Sequence, residues 1–157
     1  MQNTKQNILP KIVDTREPAI IRNPLLVLGW SQRKLAVGDY LFMSYNELTI
    51  GITRKTIDDL LSSIISNFAE QLYEMQYVFP VKIILLEGNW KRMPHNNKII
   101  TNSPGKKYDW NFCWNFLRTW QDREFTIEIT TSATHTIERL ESLYNYYQKP
   151  IHKGGLK

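Results

Sequence analysis

Hydrophobic positions along the chain change period several times, and each change marks a predicted element. Lys11-Ile12-Val13-Asp14-Thr15-Arg16-Glu17 opens with a short β-branched run and stops before Pro18, which predicts a strand ending in polar residues. Pro24 to Trp30 reads as a short helix closed by Gly29. Leu35 to Met43 and Leu48 to Arg54 read as two strands joined by Ser44-Tyr45-Asn46-Glu47, a hairpin-like link. From Ile57 the period becomes helical, with Leu60, Leu61, Ile64, Ile65, Phe68, Leu72 and Met75 recurring on one face. Thr56 is placed to cap that helix, and Asp58 and Asp59 fall in its first turn, where the helix dipole favours anions.

Val81 to Leu86 is almost continuously apolar, the pattern of a central strand buried on both faces, and it runs out in Glu87-Gly88. Tyr108 to Gln121 predicts a second helix with Trp110, Trp114, Leu117 and Trp120 on one side, which reads as core before it reads as a base-stacking platform. Phe125 to Thr130 alternates as a strand, and Thr134 to Tyr147 predicts a third helix packed through Ile137, Leu140, Leu143 and Tyr147. Strands alternating with helices after an early hairpin predict a mixed α/β sandwich, one sheet between helices. Residues 1–10 read as a loosely attached arm, 11–147 as the domain, and 148–157 as a tail carrying Pro150, Gly154 and Gly155.

Composition narrows the class. At 157 residues, the chain is long enough for one domain with a real core. No apolar run is long enough to span a bilayer, so no membrane is expected. The polar N-terminal stretch lacks the apolar core of a secretory signal, and an intracellular setting is the expectation. The single cysteine, Cys113, sits among aromatics and reads as a small buried hydrophobe. His95, His135 and His152 lie too far apart for a local metal-binding pattern.

Charge adds a partner. The net charge is +5, and residues 88–107 carry Lys91, Arg92, Lys98, Lys106 and Lys107 without one acidic residue. That segment alone holds an excess as large as the whole chain's. It reads either as a solvated loop or as a surface for a polyanion such as DNA, whose phosphates release counterions when neutralised.

Polar groups gather at the predicted strand ends: Asp14, Glu17, Asp39, Lys55 and Glu87. A carboxylate at a strand end, followed further on by carboxylate-x-Lys, is a common way to hold Mg²⁺ beside a scissile phosphate. The carboxylates bind the ion and the lysine orients water or neutralises developing charge. Asp39 and Lys55 fit that pattern on the two strands of the hairpin, but the position two before the lysine is Thr53. Other charged residues also admit plain structural readings. Asp59 serves equally as a dipole partner with Arg54 as its pair, and Arg16 and Glu17 serve equally as a surface ion pair.

The wider order of motifs is more specific. Asp14-Thr15-Arg16-Glu17, Val37-Gly38-Asp39-Tyr40, Arg54-Lys55 with Asp59 four residues after the lysine, Gln71, and Leu85-Leu86-Glu87 occur in sequence. Together they resemble the XPF-type structure-specific endonuclease domain, whose signature is Gly-Asp-Tyr followed by Glu-Arg-Lys-x-x-x-Asp, over residues 11–147. The resemblance implies a restriction-endonuclease-like mixed central sheet flanked by helices, within the PD-(D/E)xK nuclease class. It also implies Mg²⁺ or Mn²⁺ held by Asp39 and Asp14, catalytic work by Lys55, and supporting roles for Arg16, Glu17, Arg54 and Asp59. The implied partners are DNA, in a repair context, and a second copy or a partner protein.

The chain departs from that family pattern twice. Thr53 replaces the Glu, removing a negative charge from the metal site, which implies either weaker metal affinity or recruitment of Asp14, Glu17 or Asp59 to fill the gap. Asn67 stands where an arginine usually precedes Gln71. Three functions follow as expectations: a metal-dependent DNA endonuclease selective for branches or junctions, a catalytically impaired pseudonuclease that docks DNA or a partner, and an interaction domain with no nucleic-acid role.

Overall fold

The computed structural model describes residues 10–64, 67–101 and 108–152. Its centre is a six-stranded sheet built from β1 (Lys11–Asp14), β2 (Ser31–Arg33), β3 (Tyr40–Met43), β4 (Thr49–Thr56), β5 (Val81–Glu87) and β8 (Phe125–Thr130). The order across the sheet is β2-β1-β3-β4-β5-β8. β3 runs antiparallel to both β1 and β4, whereas β1 pairs parallel with β2, and β4, β5 and β8 are mutually parallel. The C-terminal ends of β1, β4, β5 and β8 therefore share one edge with the start of β3. The expected mixed sheet between helices is what forms.

The apolar run of β5 has a direct explanation. Ile84 and Leu86 join a core with Leu60, Phe68, Leu72 and Leu117, whereas Ile83 and Leu85 join a second core with Ile21, Leu25, Leu140 and Leu143. Successive side chains of a strand point to opposite faces, so a strand covered on both must be apolar at every position. Helices α2 (Ile57–Ser63), α3 (Phe68–Val78) and α4 (Trp110–Gln121) cover the first face. Helices α1 (Ala19–Val27) and α5 (Ala133–Tyr147) cover the second.

Several elements differ from the sequence expectation. The helix placed at Pro24–Trp30 begins earlier, at Ala19, and Pro24 lies inside it. The strand expected from Leu35 starts only at Tyr40, because Gly38 turns the chain at φ +81° and the N–H of Leu35 is taken by Asp14. The single helix expected over Ile57–Met75 is two, α2 and α3, although its apolar positions stay in phase across the break. Part of the basic segment is ordered as an antiparallel pair, β6 (Trp90–Arg92) and β7 (Ile99–Thr101). Thr56 does cap α2, its hydroxyl accepting from the Asp59 N–H at 3.2 Å.

The aromatic-rich second half is spent largely on packing. Trp120 is buried, and Trp90 lies against Trp110 and Trp114 at 5.2 and 5.5 Å between ring centres. Cys113 is fully buried, and burial pushes its thiol up to about 11, which suits a hydrophobe and not a nucleophile. Among the described residues no helix is long and apolar enough to cross a membrane.

Candidate active site

Asp39 sits just ahead of β3, between the ends of β1 and β4. Its N–H donates to the carbonyl of Ile52 and its carbonyl accepts from the N–H of Asp14, both at 2.8 Å, so the ladder places Asp14, Asp39 and Thr53 side by side. Oδ2 of Asp39 accepts from the Arg54 N–H at 2.7 Å and from the Thr53 hydroxyl at 3.2 Å. Asp39 makes no ion pair among the described residues, and it interacts only electrostatically with Lys55 and Arg16. Burial raises its pKa, and the charge of Asp14 pushes the same way against those two hydrogen bonds.

Asp14 is fully engaged. It is 1% exposed, Oδ1 accepts from the Leu35 N–H at 2.8 Å, and Oδ2 accepts from Arg16 Nε at 2.7 Å and from the Arg16 N–H at 3.3 Å. Burial alone would raise its carboxyl, but Arg16 and Leu35 outweigh it and hold the group below its ordinary value. Arg16 thus pairs with Asp14 and not with its neighbour Glu17, contrary to the surface ion pair that the sequence allowed.

Strand alternation then divides the charged residues between the two faces. Thr53 and Lys55 point towards α3, where Lys55 Nζ lies 5.2 Å from the centre of the Phe68 ring. Here Asp39, Thr53 and Arg16 meet Gln71 and Glu74 of α3 around a pocket of about 180 Å³. That volume holds several waters. Arg54, between Thr53 and Lys55, points the other way.

On that opposite face lies a buried polar array. Arg54 donates to Glu87 through Nε at 3.2 Å and Nη2 at 2.6 Å, and approaches Glu17 at 3.7 Å. It does not pair with Asp59, as the sequence had allowed. Glu87 also accepts from the Thr136 hydroxyl of α5 at 2.5 Å, and Glu17 accepts from the hydroxyl of Tyr40. Burial would raise Glu87, but the hydrogen bonds from Arg54 and Thr136 hold it below its ordinary value. Glu17 is left with the weaker share of Arg54, and burial together with the charge of Asp39 pushes it up to about 7.

The remaining predicted residues lie apart from the pocket. Asp59 is exposed in the first turn of α2. Lys91 and Arg92 are exposed on β6, Lys98 is half-buried at its bridge to Asp109, and Lys106 and Lys107 lie outside the described residues. The described part of this basic segment is held to the domain. The Ile99 N–H donates to the Tyr108 carbonyl at 2.9 Å, and Thr101 donates to Asp58 at 2.7 Å.

Sequence reasoning left two residues of this region without a role, one on each face. Glu87 ends the apolar run of β5, a visible signal with no visible partner. Glu74 lies one helical turn beyond Gln71, and that spacing was its only mark. Among the described residues, no three His, Cys, Asp or Glu side chains form a ready metal cage. The oxygen donors facing the pocket are Asp39, Thr53, Gln71 and Glu74, which suit a hard divalent cation.

A mixed central sheet flanked by helices, with charged side chains at one edge of its strands, is the XPF nuclease fold. The chain belongs to the ERCC4 domain family, whose model matches residues 13–143. It is similar in structure to XPF from Aeropyrum pernix, with a TM-score of 0.67 and 21% identity, covering 87% of this chain and 64% of that one. The structure of XPF from Aeropyrum pernix in complex with DNA matches with a TM-score of 0.66 and 21% identity, covering 88% and 64%. The chain thus spans just under two thirds of the length of those structures. No curated protein sequence matches it.

Proposed function

We propose that this domain is a divalent-metal-dependent endonuclease that hydrolyses DNA phosphodiester bonds, with a preference for branched or junction substrates. One observation carries the reading: Asp39, Thr53 and Lys55 share one face at the strand ends, and Asp39 lines a pocket of about 180 Å³ without forming an ion pair among the described residues. Asp39 is half-buried, and partial burial of a carboxylate without an ion pair carries a cost that a bound cation relieves. Mg²⁺ keeps most of its waters and takes only one or two protein carboxylates, a demand matched by Asp39 with the oxygen donors around the pocket, and Mn²⁺ favours the same donors.

In this reading Asp39 is the principal ligand, and Asp14 adds negative charge while its hydrogen bonds hold Arg16 and the Leu35 backbone at the pocket rim. A bound ion supplies an activated water and stabilises charge on the phosphate. Lys55, on the same face, neutralises developing charge. Arg16, largely exposed beside the pocket, is placed to meet a phosphate. Glu17 and Arg54 act from the opposite face by fixing the strands, and Asp59 acts through the start of α2. Lys91, Arg92, Lys98, Lys106 and Lys107 supply contacts to the DNA backbone. Membership of the ERCC4 family supports the DNA substrate, and the match to an XPF–DNA complex is consistent with it.

The test is cleavage of flap and splayed-duplex DNA with Mg²⁺ or Mn²⁺ by the natural chain and by Lys55→Ala. We expect cutting by the former and its loss in the latter. Equal cutting by both sinks the role given to Lys55.

A second reading has its own observation. Thr53 gives Asp39 a hydroxyl hydrogen bond where a carboxylate ligand would sit, which is the arrangement of a pseudonuclease that docks DNA or a partner chain. Salt-sensitive DNA binding without metal-dependent cleavage, unchanged by Thr53→Glu, is its expected signature.

A further inference from the structure

We propose that Glu74, on α3, is the metal ligand that takes over from the carboxylate missing at Thr53. The inference rests on the nuclease reading above and adds a ligand from a different element of the fold.

The geometry is specific to this helix. α3 buries Phe68, Leu72 and Met75 against the sheet, which fixes its rotation. Gln71 and Glu74 stand three residues apart on the flank of that buried stripe, and residues at this spacing are neighbours on a helix surface. Both line the same pocket as Asp39 and Thr53, with Met75 as its floor. A carboxylate therefore reaches the pocket from the helix, opposite the strand position where the threonine has replaced one. Exposed Glu70, on the first turn of the same helix, does not line the pocket and has no such role.

Charge and donor chemistry support the assignment. Thr53 is buried and its hydroxyl is occupied in donating to Asp39, so it neutralises no ion charge. The alternatives drawn from the sequence are less well placed. Glu17 lies on the opposite face with Tyr40 and Arg54, and Asp14 has hydrogen bonds on both oxygens. Asp59 does not line the pocket. Among the described residues, Glu74 is the acidic residue that lines the pocket together with Asp39, and a pair of carboxylates with retained water is a sufficient protein contribution for Mg²⁺ or Mn²⁺.

The experiment is Mn²⁺ binding to the full chain, read by calorimetry and by the electron paramagnetic resonance of free ion. The variants are Asp39→Asn, Glu74→Gln, Glu70→Gln, and Thr53→Glu alone and combined with Glu74→Gln. Glu74→Gln should weaken Mn²⁺ binding by about tenfold or more, a typical consequence of disturbing a metal's surroundings. Glu70→Gln should leave it unchanged, although it removes the same charge from the same helix. Thr53→Glu should raise affinity more in the Glu74→Gln background than in the natural chain, since the two carboxylates substitute for one another. Glu74 is exposed, so thermal melting should be unaffected by its loss.

Unchanged Mn²⁺ binding in Glu74→Gln, with binding abolished in Asp39→Asn, overturns the role of Glu74 and leaves the nuclease reading standing. Equal weakening by Glu70→Gln and Glu74→Gln also overturns it, because the effect is then one of general charge. Absence of Mn²⁺ binding by the natural chain overturns both.

Discussion

Arg54 and Glu87 grip one another through two parallel hydrogen bonds, 3.2 and 2.6 Å long, across the parallel strands β4 and β5. Both side chains are about nine-tenths buried, so neither charge has water to fall back on. Removing one partner leaves the other buried and unpaired, and Arg54→Ala should cost about 3–5 kcal/mol in urea denaturation. Arg54→Lys should recover only part, because an ammonium cannot reproduce the two-pronged geometry. A small loss for Arg54→Ala would mean that the pair contributes little and that Arg54 serves chemistry alone.

Two glutamates on this face give opposite pH signatures. Glu87 is held below its ordinary value, so its contribution is present above its unfolded pKa and is lost as pH falls through the lower folded one. Glu17 is raised from 4.5 to about 7, so its contribution is complete below 4.5 and is lost as pH rises towards 7. Glu17→Gln should remove the second loss. Melting temperatures from pH 4.5 to 8 should show the natural chain losing stability relative to the variant across that window, and parallel curves would contradict it.

Gly51 has no room for a side chain. A Cβ there would lie 2.2 Å from Cδ2 of Phe79, which is itself buried. Gly51→Ala should destabilise the domain by about 1–3 kcal/mol through overpacking. Adding Phe79→Leu should return part of that loss, since the two positions are coupled. Chemical denaturation of the two single variants and the double variant measures the coupling, and simple additivity would rule out the clash as the cause.

The exposed pair on β6 tests the DNA surface. Reversing both charges, Lys91→Glu with Arg92→Glu, should weaken DNA binding and flatten its dependence on salt. Each lost phosphate contact removes about 0.9 from the slope of log affinity against log salt. Fluorescence anisotropy across a salt series reads this, and an unchanged slope would free these residues from contact with DNA.

Much of the fold was legible because burial writes itself into period. The two-faced core imposed the unbroken run Ile83–Leu86, and Thr56 announced its cap. Elements held by others were harder to see. β2 is three polar, exposed residues held at the sheet edge chiefly by their ladder to β1. The break between α2 and α3 left no trace in a hydrophobic pattern that stays in phase through it. β6 and β7 hid in a segment whose charge dominated its reading.

The site was legible in part for the same reason. Asp39 and Lys55 stand at strand ends in the order a known motif demands. The grip of Arg54 on Glu87 and the pocket that Glu74 and Asp39 both line join positions far apart in sequence, and no spacing rule connects them. Strand alternation also sent Arg54 to the face opposite its neighbours Thr53 and Lys55, a separation that a linear motif conceals.

The hydrogen bond from Thr136 to Glu87 ties the far end of the domain to its centre. The polar array draws on the turn after β1 and on β3, β4, β5 and α5, so no short fragment of the chain holds all of it. Lifting α5 from the sheet strips Glu87 of one donor and loosens Arg54 beneath the strand that carries Thr53 and Lys55. On the nuclease reading proposed above, the strand that carries Thr53 and Lys55 is braced only once α5 has docked, so cleavage would come with complete folding and not before it.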